Sequence, residues 1–365
     1  MAQIELGLDT FGDVTLDAQG APLAQPQVIR NLVEEAVLAD QVGVDFIGVG
    51  EHHRPDLAVS APEVVLAAIA ARTSRIKLGS AVTVLSTDDP VRVYERFALL
   101  DAVSGGRAEI ILGRGSFTES FPLFGYQLED YDVLFEEKLQ LFVELLKEGP
   151  LHWSGSVRPA LDGQRAYPLT ESGSILTWIG VGGSPESVVR AARYGLPLVI
   201  AIIGGSAFRF APLVELYRRA LQSYGFSPDL PIGVHSPGHV SVTDEQAREE
   251  LWPHYRDMFG RIGRERGWPP VTREQFEAAT GPEGALLVGS PETVAGKIVR
   301  VARAFGLARY SLKYSNGTLP HPLLMRSVEL YGRRVIPLVR SALAAVTTEP
   351  EPSGEAAAEK SSSRS

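Results

Sequence analysis

Apolar positions along the chain follow two alternating patterns. Short, nearly continuous apolar runs alternate with longer segments in which apolar residues recur every three to four positions. The first pattern is typical of a strand buried on both faces, and the second of an amphipathic helix. We predict strands at residues 4–9, 44–50, 76–85, 107–113, 175–181, 198–203, 232–242 and 308–314, each followed by a helix. This repeated strand–helix order favours a closed (β/α)8 TIM barrel over an open, doubly wound sheet.

Two segments interrupt the strand–helix alternation. Residues 151–168, rich in Gly, Pro and Trp, predict an extended excursion, and residues 243–266 predict an inserted helical segment. Within the seventh strand we expect an irregularity at residues 235–239. Near the end of the chain the composition turns to Pro, Ser, Glu and Ala, which is typical of disorder. We therefore predict one barrel domain with insertions over residues 1–345 and a disordered tail over residues 346–365.

Composition and charge exclude several classes of function. The net charge of −9 argues against a broad nucleic-acid surface, and the absence of cysteine excludes disulfides and thiolate chemistry. No apolar run reaches the length of about 18 residues that a membrane-spanning helix needs. The first residues also lack the basic start and apolar stretch of a signal peptide. We therefore expect a cytoplasmic protein without a nucleic-acid or membrane partner.

An anion site is predicted between the fourth and fifth strands. Residues 180–184 read Gly-Val-Gly-Gly-Ser and lead into a helix that carries Ser187 in its first turn. Glycines let the backbone approach a ligand closely, and the N–H groups of a helix start suit an anion. Arg114, at the end of the neighbouring strand, can pair bidentately with phosphate oxygens. A dinucleotide-binding loop is disfavoured, because Pro185 stands where the third glycine of its fingerprint belongs.

A second candidate site follows the second strand, where residues 51–54 read Glu-His-His-Arg. Barrels build their active sites at the carboxyl ends of strands, so His52 is placed to act as a general base near neutral pH. The competing interpretation is a hydrolytic metal site. Its candidate ligands are Glu51, His52, His53, His235 and His239. We favour a site without metal, because no such ligand spacing recurs at the other strand ends.

The chain also resembles the family of bacterial luciferase and its monooxygenase relatives, over nearly its whole length, to about Arg340. The resemblance is strongest between Gly50 and Tyr126. The matching stretches are residues 51–53 (Glu-His-His), 79–85 (Gly-Ser-Ala-Val-Thr-Val-Leu), 89–92, 104–107 and 113–115, followed by 182–187 and 191–197.

The resemblance implies a luciferase-like barrel that binds FMN at its carboxyl-end face and forms a homodimer. The family's catalytic histidine falls on His52, and its non-prolyl cis peptide bond on Ala81–Val82. The implied cofactor-binding residues are Asp9, Ala81, Val82, Thr83, Arg114, Gly182, Gly183, Ser184 and Ser187. Gly183 and Gly113 replace a glutamate and a reactive cysteine of the luciferase, which argues against light emission and long-chain aldehyde substrates.

The activity implied by the resemblance is oxygenation of a small organic substrate with reduced flavin and O2. Since no nicotinamide-binding motif is visible, we predict that a separate flavin reductase supplies the reduced flavin. Two alternatives stay open: an F420-dependent oxidoreductase of the same superfamily, and a flavin-binding protein without turnover. The loop after the fourth strand carries Phe117, Phe121, Phe124 and Tyr126. These aromatic side chains could line an apolar pocket, cover a dimer contact or pack the loop.

Overall fold

Parallel strands close into an eight-stranded barrel in the computed structural model, which describes residues 3–345. The strands are β1 (Glu5–Thr10), β2 (Phe46–Val49), β3 (Lys77–Ser80), β4 (Thr83–Val84), β5 (Ala108–Gly113), β6 (Leu151–Trp153), β7 (Leu161–Gln164), β8 (Leu176–Val181), β9 (Leu198–Ala201), β10 (Ile232–Val240), β11 (Leu287–Gly289) and β12 (Arg309–Lys313). Around the barrel the order is β1, β2, β3, β5, β8, β9, β10 and β12, and β12 pairs with β1. Strands β4 and β11 add to the carboxyl-end rim, and β6 and β7 form a separate hairpin.

Helices cover the outside of the barrel. They are α1 (Gln25–Gln41), α2 (Pro62–Ala70), α3 (Pro90–Ser104), α4 (Ser120–Leu123), α5 (Tyr131–Leu145), α6 (Pro185–Arg193), α7 (Ala211–Ser223), α8 (Asp244–Arg266), α9 (Arg273–Thr280), α10 (Pro291–Phe305), α11 (His321–Leu330) and α12 (Ile336–Ala345). Short 3₁₀ turns lie at Leu85–Thr87, Leu128–Asp130 and Ala207–Phe210, and a π-helical turn at Tyr331–Val335 joins α11 to α12. Within residues 3–345, no helix is long and apolar enough to cross a membrane.

The predicted (β/α)8 barrel is confirmed, with corrections to individual elements. The third predicted strand is split into β3 and β4 around residues 81–82, and the predicted excursion at residues 151–168 contains the hairpin β6–β7. The irregularity expected at residues 235–239 is wrong, because β10 runs unbroken through this segment, paired with β12 up to Pro237 and with β11 from Gly238. Helix α9 and strand β11 were not predicted. The tail predicted at residues 346–365 lies outside the described residues.

The outer core lies between the strands and the helices. Leu6 on β1 and Ile47 on β2 share one apolar cluster with Leu32 on α1 and Leu66 on α2, and each is 1% exposed or less. Full burial of such a side chain contributes roughly 1.5–3 kcal/mol. This packing explains why the strands read as continuous apolar runs and why each helix has one apolar face.

A charged layer closes the amino end of the barrel. Arg309 on β12 is buried and pairs with Glu5 on β1 and with Glu109 on β5, the latter at 2.8 Å. Its guanidinium also lies over the rings of Phe46 and Trp178, at 4.1 Å and 4.8 Å from their centroids. A buried charge is tolerated when it is paired in this way. The amino end is therefore filled, which leaves the carboxyl end for a ligand.

Candidate active site

A cavity of about 550 Å³ opens at the carboxyl ends of the barrel strands. Every barrel strand, or the loop that follows it, contributes to the wall, and helix α8 covers one side. This is the face on which (β/α)8 barrels bind their ligands, and the volume suits a small-molecule site.

The cavity brings together residues that are far apart in the sequence. The predicted site residues that line it are Asp9, His52, Ala81, Val82, Arg114, Gly182, Ser184 and Ser187. Thr83 and Gly183 are not among the lining residues. Thr83 is buried in β4 opposite Leu112, and Gly183 turns the chain toward α6 with a φ of 120°. A left-handed φ of this kind favours glycine, so Gly183 shapes the loop behind the cavity.

The floor of the cavity is formed around the Ala81–Val82 peptide bond, which is cis as the resemblance implies. The side chain of Val82 packs between two glycines of neighbouring strands. A Cβ on Gly113 would lie 2.5 Å from Val82 Cγ2, and one on Gly180 would lie 2.9 Å from Val82 Cγ1. Both strands therefore need glycine at these positions. This packing is a reason why no larger side chain occupies position 113.

At one end of the cavity, the start of helix α6 faces the end of strand β5. Ser184 caps the helix, since its Oγ accepts a hydrogen bond from the Ser187 amide at 3.3 Å, and a proline follows at the first helical position. Arg114 reaches this end from β5 and lies over the ring of Tyr131, 5.0 Å from its centroid. The guanidinium and the helix start thus share one end of the cavity, where they can bind an anion. We call this the anion end.

Carboxylates also lie at the anion end, and sequence reasoning missed the most important one. Asp132, at the start of α5, accepts a hydrogen bond from Arg114 Nη1 at 2.9 Å. Glu186 accepts one from the Ser184 hydroxyl at 2.7 Å. That hydrogen bond, with smaller contributions from Arg114 and Arg190, lowers the pKa of Glu186. A ligand phosphate would therefore compete with protein carboxylates for the guanidinium and the hydroxyl.

Arg190 is a second basic residue beside the anion end. It lies three positions after Ser187 on α6, so both side chains share a helix face. Its Nε donates to Glu136 at 2.7 Å, while its Nη1 is buried without a hydrogen-bond partner among residues 3–345. The three-residue spacing between Ser187 and Arg190 is the sequence feature that could have identified Arg190 as part of the site.

His52 follows β2 in the cavity wall and lies between two phenylalanine rings. The ring centroids of Phe11 and Phe117 are 4.8 Å and 5.3 Å from that of the imidazole. His52 is exposed to the cavity but surrounded by protein on its other sides, and this burial lowers its pKa to about 3. It is therefore neutral near pH 7, which suits a hydrogen-bonding role. As a general base near neutral pH, the role predicted from sequence, it would bind a proton only weakly.

Asp9 and His235 form a buried pair beside His52. The Nδ1 atom of His235 lies 2.7 Å from Asp9 Oδ2, and the two residues are 8% and 2% exposed. The other carboxylate oxygen, Asp9 Oδ1, is buried without a hydrogen-bond partner in the described part of the chain. Nearby, Lys313 on β12 donates to Asp13 at 2.9 Å. We call this region, with His52, the buried end.

The geometry does not support the competing metal site. His239 is fully buried and bonds to Glu250 at 2.8 Å, and it does not line the cavity. His53 Nε2 lies 3.1 Å from Glu51, whose other oxygen accepts from the Val84 amide at 2.8 Å. Over residues 3–345, no group of three or more His, Cys, Asp or Glu side chains has the arrangement to hold a metal ion.

The aromatic loop after β5 has one member in the cavity. Phe117 lines it and lies between two guanidinium groups, with Arg54 at 4.6 Å and Arg266 at 4.9 Å from the ring centroid. Phe121 is fully buried, while Phe124 is half exposed. The loop aromatics therefore divide between the cavity wall and packing of the loop itself.

Sequence comparison places the chain in a family. The family model described as luciferase-like monooxygenase matches residues 10–308. The chain belongs to the luciferase-like monooxygenase family. The resemblance noted in the sequence is thereby confirmed. Within the family it is similar to the alkanal monooxygenase alpha chain of Photorhabdus luminescens, with 29% identity over 227 residues, a match that spans 59% of this chain and 59% of that relative.

Another relative is matched over more of its length. The N-acetyl-S-alkylcysteine monooxygenase of Bacillus subtilis (strain 168) is 27% identical over 314 residues, which covers 80% of this chain and 88% of the relative.

Solved structures share the fold across two cofactor types. The oxygenating constituent of the 3,6-diketocamphane monooxygenase of Pseudomonas putida, in complex with FMN, has a TM-score of 0.72 at 20% identity and covers 92% of this chain and 98% of that one. The coenzyme F420-dependent tetrahydromethanopterin reductase of Methanopyrus kandleri has a TM-score of 0.69 at 19% identity, over 92% of this chain and 99% of that one. At such identities the likeness shows the fold alone.

Proposed function

We propose that the chain is an FMN-dependent monooxygenase that uses reduced flavin and O2 to oxygenate a small organic substrate. The observation that carries the proposal is one cavity lined both by Arg114 with the start of α6 and by His52. A mononucleotide flavin has the matching chemistry, with a phosphate at one end and a planar apolar ring at the other.

The residues present fit this cofactor. An added Cβ on Gly182 would meet no atom within 4 Å, so the loop before α6 leaves open space beside the helix start. The buried, unpartnered Asp9 Oδ1 calls for a hydrogen-bond donor, which a ring N–H group supplies. Arg114, Ser184 and Ser187 would hold the phosphate, and Ala81 and Val82 would support the ring.

Bound reduced flavin would supply the electrons that activate O2. The protein's contribution is to orient the ring, exclude water and position hydrogen-bonding groups. Phe11 and Phe117 on either side of His52 make that part of the cavity apolar, which keeps water away from the reacting atoms. His52, neutral near pH 7, would donate or accept a hydrogen bond there.

Titration with FMN, riboflavin and F420, followed by fluorescence, tests the cofactor assignment. We expect FMN to bind at least about 10-fold more tightly than riboflavin, because the phosphate adds charge-assisted hydrogen bonds. Equal affinity for the two would contradict the phosphate site. Tighter binding of F420 than of FMN would favour an F420-dependent oxidoreductase, the second candidate, which the likeness to the Methanopyrus kandleri reductase keeps open.

Turnover assays test the activity and its partner. We expect substrate-dependent O2 consumption only when a separate flavin reductase supplies reduced FMN. Rapid NADH oxidation by the chain alone would contradict the need for a reductase. Flavin binding without turnover across a broad substrate screen would favour the non-catalytic alternative. A cytoplasmic location stays a prediction.

We also propose a homodimer, supported by exposed apolar side chains on two neighbouring helices. Val64 on α2 is 66% exposed, and Leu99 and Val103 on α3 are 54% and 60% exposed. Leu99 and Val103 are one helical turn apart and share a face. Light scattering tests the proposal: Leu99→Asp should give a monomer, while the control Val242→Asp should leave the assembly unchanged.

A further inference from the structure

The buried end of the cavity contains two histidines with different surroundings. His52 lies between phenylalanine rings, and among residues 3–345 no carboxylate accepts a hydrogen bond from its imidazole. His235 is different, because its Nδ1 faces Asp9 Oδ2 at 2.7 Å. A carboxylate at this distance fixes the tautomer of an imidazole and stabilises its protonated form.

The barrel architecture holds Asp9 and His235 in this arrangement. Asp9 lies on β1 and His235 on β10, and β12 is hydrogen-bonded between these two strands. In a (β/α)8 barrel, inward-pointing side chains of alternate strands meet in one layer. Both residues also line the cavity. With Nδ1 engaged by Asp9, the other nitrogen, Nε2, bonds to no residue of 3–345 and is left for a ligand.

Among the charged groups around this part of the cavity, His235 is the imidazole that contacts a carboxylate. The charged and titratable side chains of the cavity wall include Asp9, Asp13, His52 and Lys313. Lys313 is paired with Asp13 at 2.9 Å, so its charge is compensated. Burial keeps His52 neutral. Asp9 contributes a carboxylate that bonds to His235 and to no other residue among those described.

We propose that His235, oriented by Asp9, delivers the proton that each turnover consumes, an inference that rests on the proposed flavin-dependent function. When reduced FMN enters as its monoanion, the reaction takes up one proton and one O2. One oxygen atom joins the substrate, the other leaves as water, and the flavin loses two electrons. The Nε2 proton of His235 goes to the departing oxygen, and the imidazole regains a proton from solvent. Asp9 acts as a positioning residue.

Nuclear magnetic resonance of the flavin-free protein provides the first test. With ¹⁵N-labelled histidine, the signals that disappear in His235→Gln identify this residue. We expect Nδ1 of His235 to carry the proton in the neutral form, and we expect Asp9→Asn to shift the Nδ1 resonance, because the carboxylate that orients the ring is lost. A neutral ring protonated at Nε2, or an Nδ1 resonance that Asp9→Asn leaves unchanged, would overturn the proposal.

The chain offers a matched control. His152 and Asp162 form a similar pair on the hairpin, at 3.0 Å, but both side chains are largely exposed. Solvent screens such a pair, so Asp162→Asn should shift the Nδ1 resonance of His152 much less than Asp9→Asn shifts that of His235. Equal shifts would mean that burial adds nothing to the Asp9–His235 pair.

A substrate-free reaction provides the second test. Oxidation of bound reduced FMN by O2 also consumes one proton, and it is followed by flavin absorbance across pH. In the wild type we expect the rate to depend on pH, because His235 supplies the proton. In His235→Gln that pH dependence should disappear, with the rate at neutral pH lowered roughly 100-fold or more and FMN affinity within a few-fold. His152→Gln is the control for general effects of losing a histidine.

The outcomes separate this inference from the proposed function. If the resonance results hold but the protein binds neither FMN nor F420, the proposed function fails while the Asp9–His235 pair stands as a site of another chemistry. If FMN binds and is oxidised identically in wild type and His235→Gln at every pH, the function stands and the proton role of His235 is wrong. Thermal unfolding of Asp9→Asn and His235→Gln shows whether each variant is folded.

Discussion

The anion end and the buried end of the cavity hold their charged side chains in opposite ways. At the anion end, the side chain of Arg114 is 26% exposed and that of its partner Asp132 is 77% exposed. At the buried end, Asp9 and His235 are 2% and 8% exposed. An exposed ion pair contributes at most about 1 kcal/mol, so a ligand can replace it, whereas a buried pair is held in place by the fold. The anion end can therefore exchange its ion pair for contacts with a ligand, whereas the buried end keeps a fixed side-chain geometry.

The largest effect is expected from Arg114→Ala, which should remove the guanidinium that binds the phosphate at the anion end. We expect FMN affinity to fall by roughly 10- to 100-fold, because a charge-assisted hydrogen bond contributes about 1.5–3 kcal/mol. Arg114→Lys keeps the charge but loses the bidentate geometry, and should give an intermediate dissociation constant. Fluorescence titration measures both. Riboflavin, which has no phosphate, serves as the control ligand, and its affinity should be the same in all three proteins.

Gly48→Ala should instead disturb the side-chain packing at the buried end. An added Cβ would lie 2.2 Å from Asp9 Oδ1 and 2.7 Å from the Cβ of Ala81, so the carboxylate must move. We expect a loss of about 1–3 kcal/mol in the free energy of unfolding and a disturbed His235 resonance.

Gly182→Ala is the matched change at the anion end, since its Cβ would meet no atom within 4 Å. It should leave thermal unfolding unchanged and weaken only FMN binding. Equal unfolding temperatures for the Gly48→Ala and Gly182→Ala variants would contradict the difference in packing between the two ends.

A pH dependence of stability should arise from His52 at the buried end. Burial lowers its pKa to about 3, below the value near 6.5 of an unfolded chain, so the folded state excludes a proton that the unfolded state binds. The stability from this group is complete above pH 6.5 and is lost as the pH falls toward 3. At pH 5 the loss is at most about 2 kcal/mol. Urea unfolding between pH 7 and pH 5 measures it, and His52→Gln should flatten the profile. Identical slopes for the two proteins would contradict the buried, neutral state of His52.

The smallest effect is expected from Asp132→Asn. Removing this carboxylate frees Arg114 from its exposed partner, and FMN should bind about 2- to 5-fold more tightly, within the range of a solvent-exposed ion pair. The gain should shrink at high salt, because exposed charges are screened. Glu144 lies on α5, as Asp132 does, and pairs with Lys147. Glu144→Gln is therefore a charge-matched control. Weaker FMN binding in Asp132→Asn would show that Asp132 supports the site.

The sequence indicated the anion end because its parts are local. A glycine-rich turn, a serine cap and a proline form one short segment, and Arg114 ends the neighbouring strand in a barrel whose strand order follows the chain. The cis bond was indicated by the family resemblance alone, whereas His52 was indicated both by its place at a strand end and by the resemblance. Asp132 escaped notice because an acidic residue at a helix start is ordinarily a cap or a dipole partner.

The buried end could not be predicted in the same way. Asp9 and His235 are 226 positions apart, and nothing in either local sequence points to the other. The low pKa of His52 likewise depends on Phe11 and Phe117, which the barrel brings to it from two other loops. Burial and pairing are properties of the assembled barrel, and they decide the protonation of an imidazole.

By itself, the sequence determined the strand–helix alternation, the closed barrel and the segments that carry a phosphate-binding chemistry, because apolar periodicity and helix caps act between near neighbours. Only the tertiary structure decided which histidine is bonded to a carboxylate and which is enclosed by aromatic rings. The reason is that electrostatic free energies depend on distance and burial, which closure of the barrel sets across the whole chain.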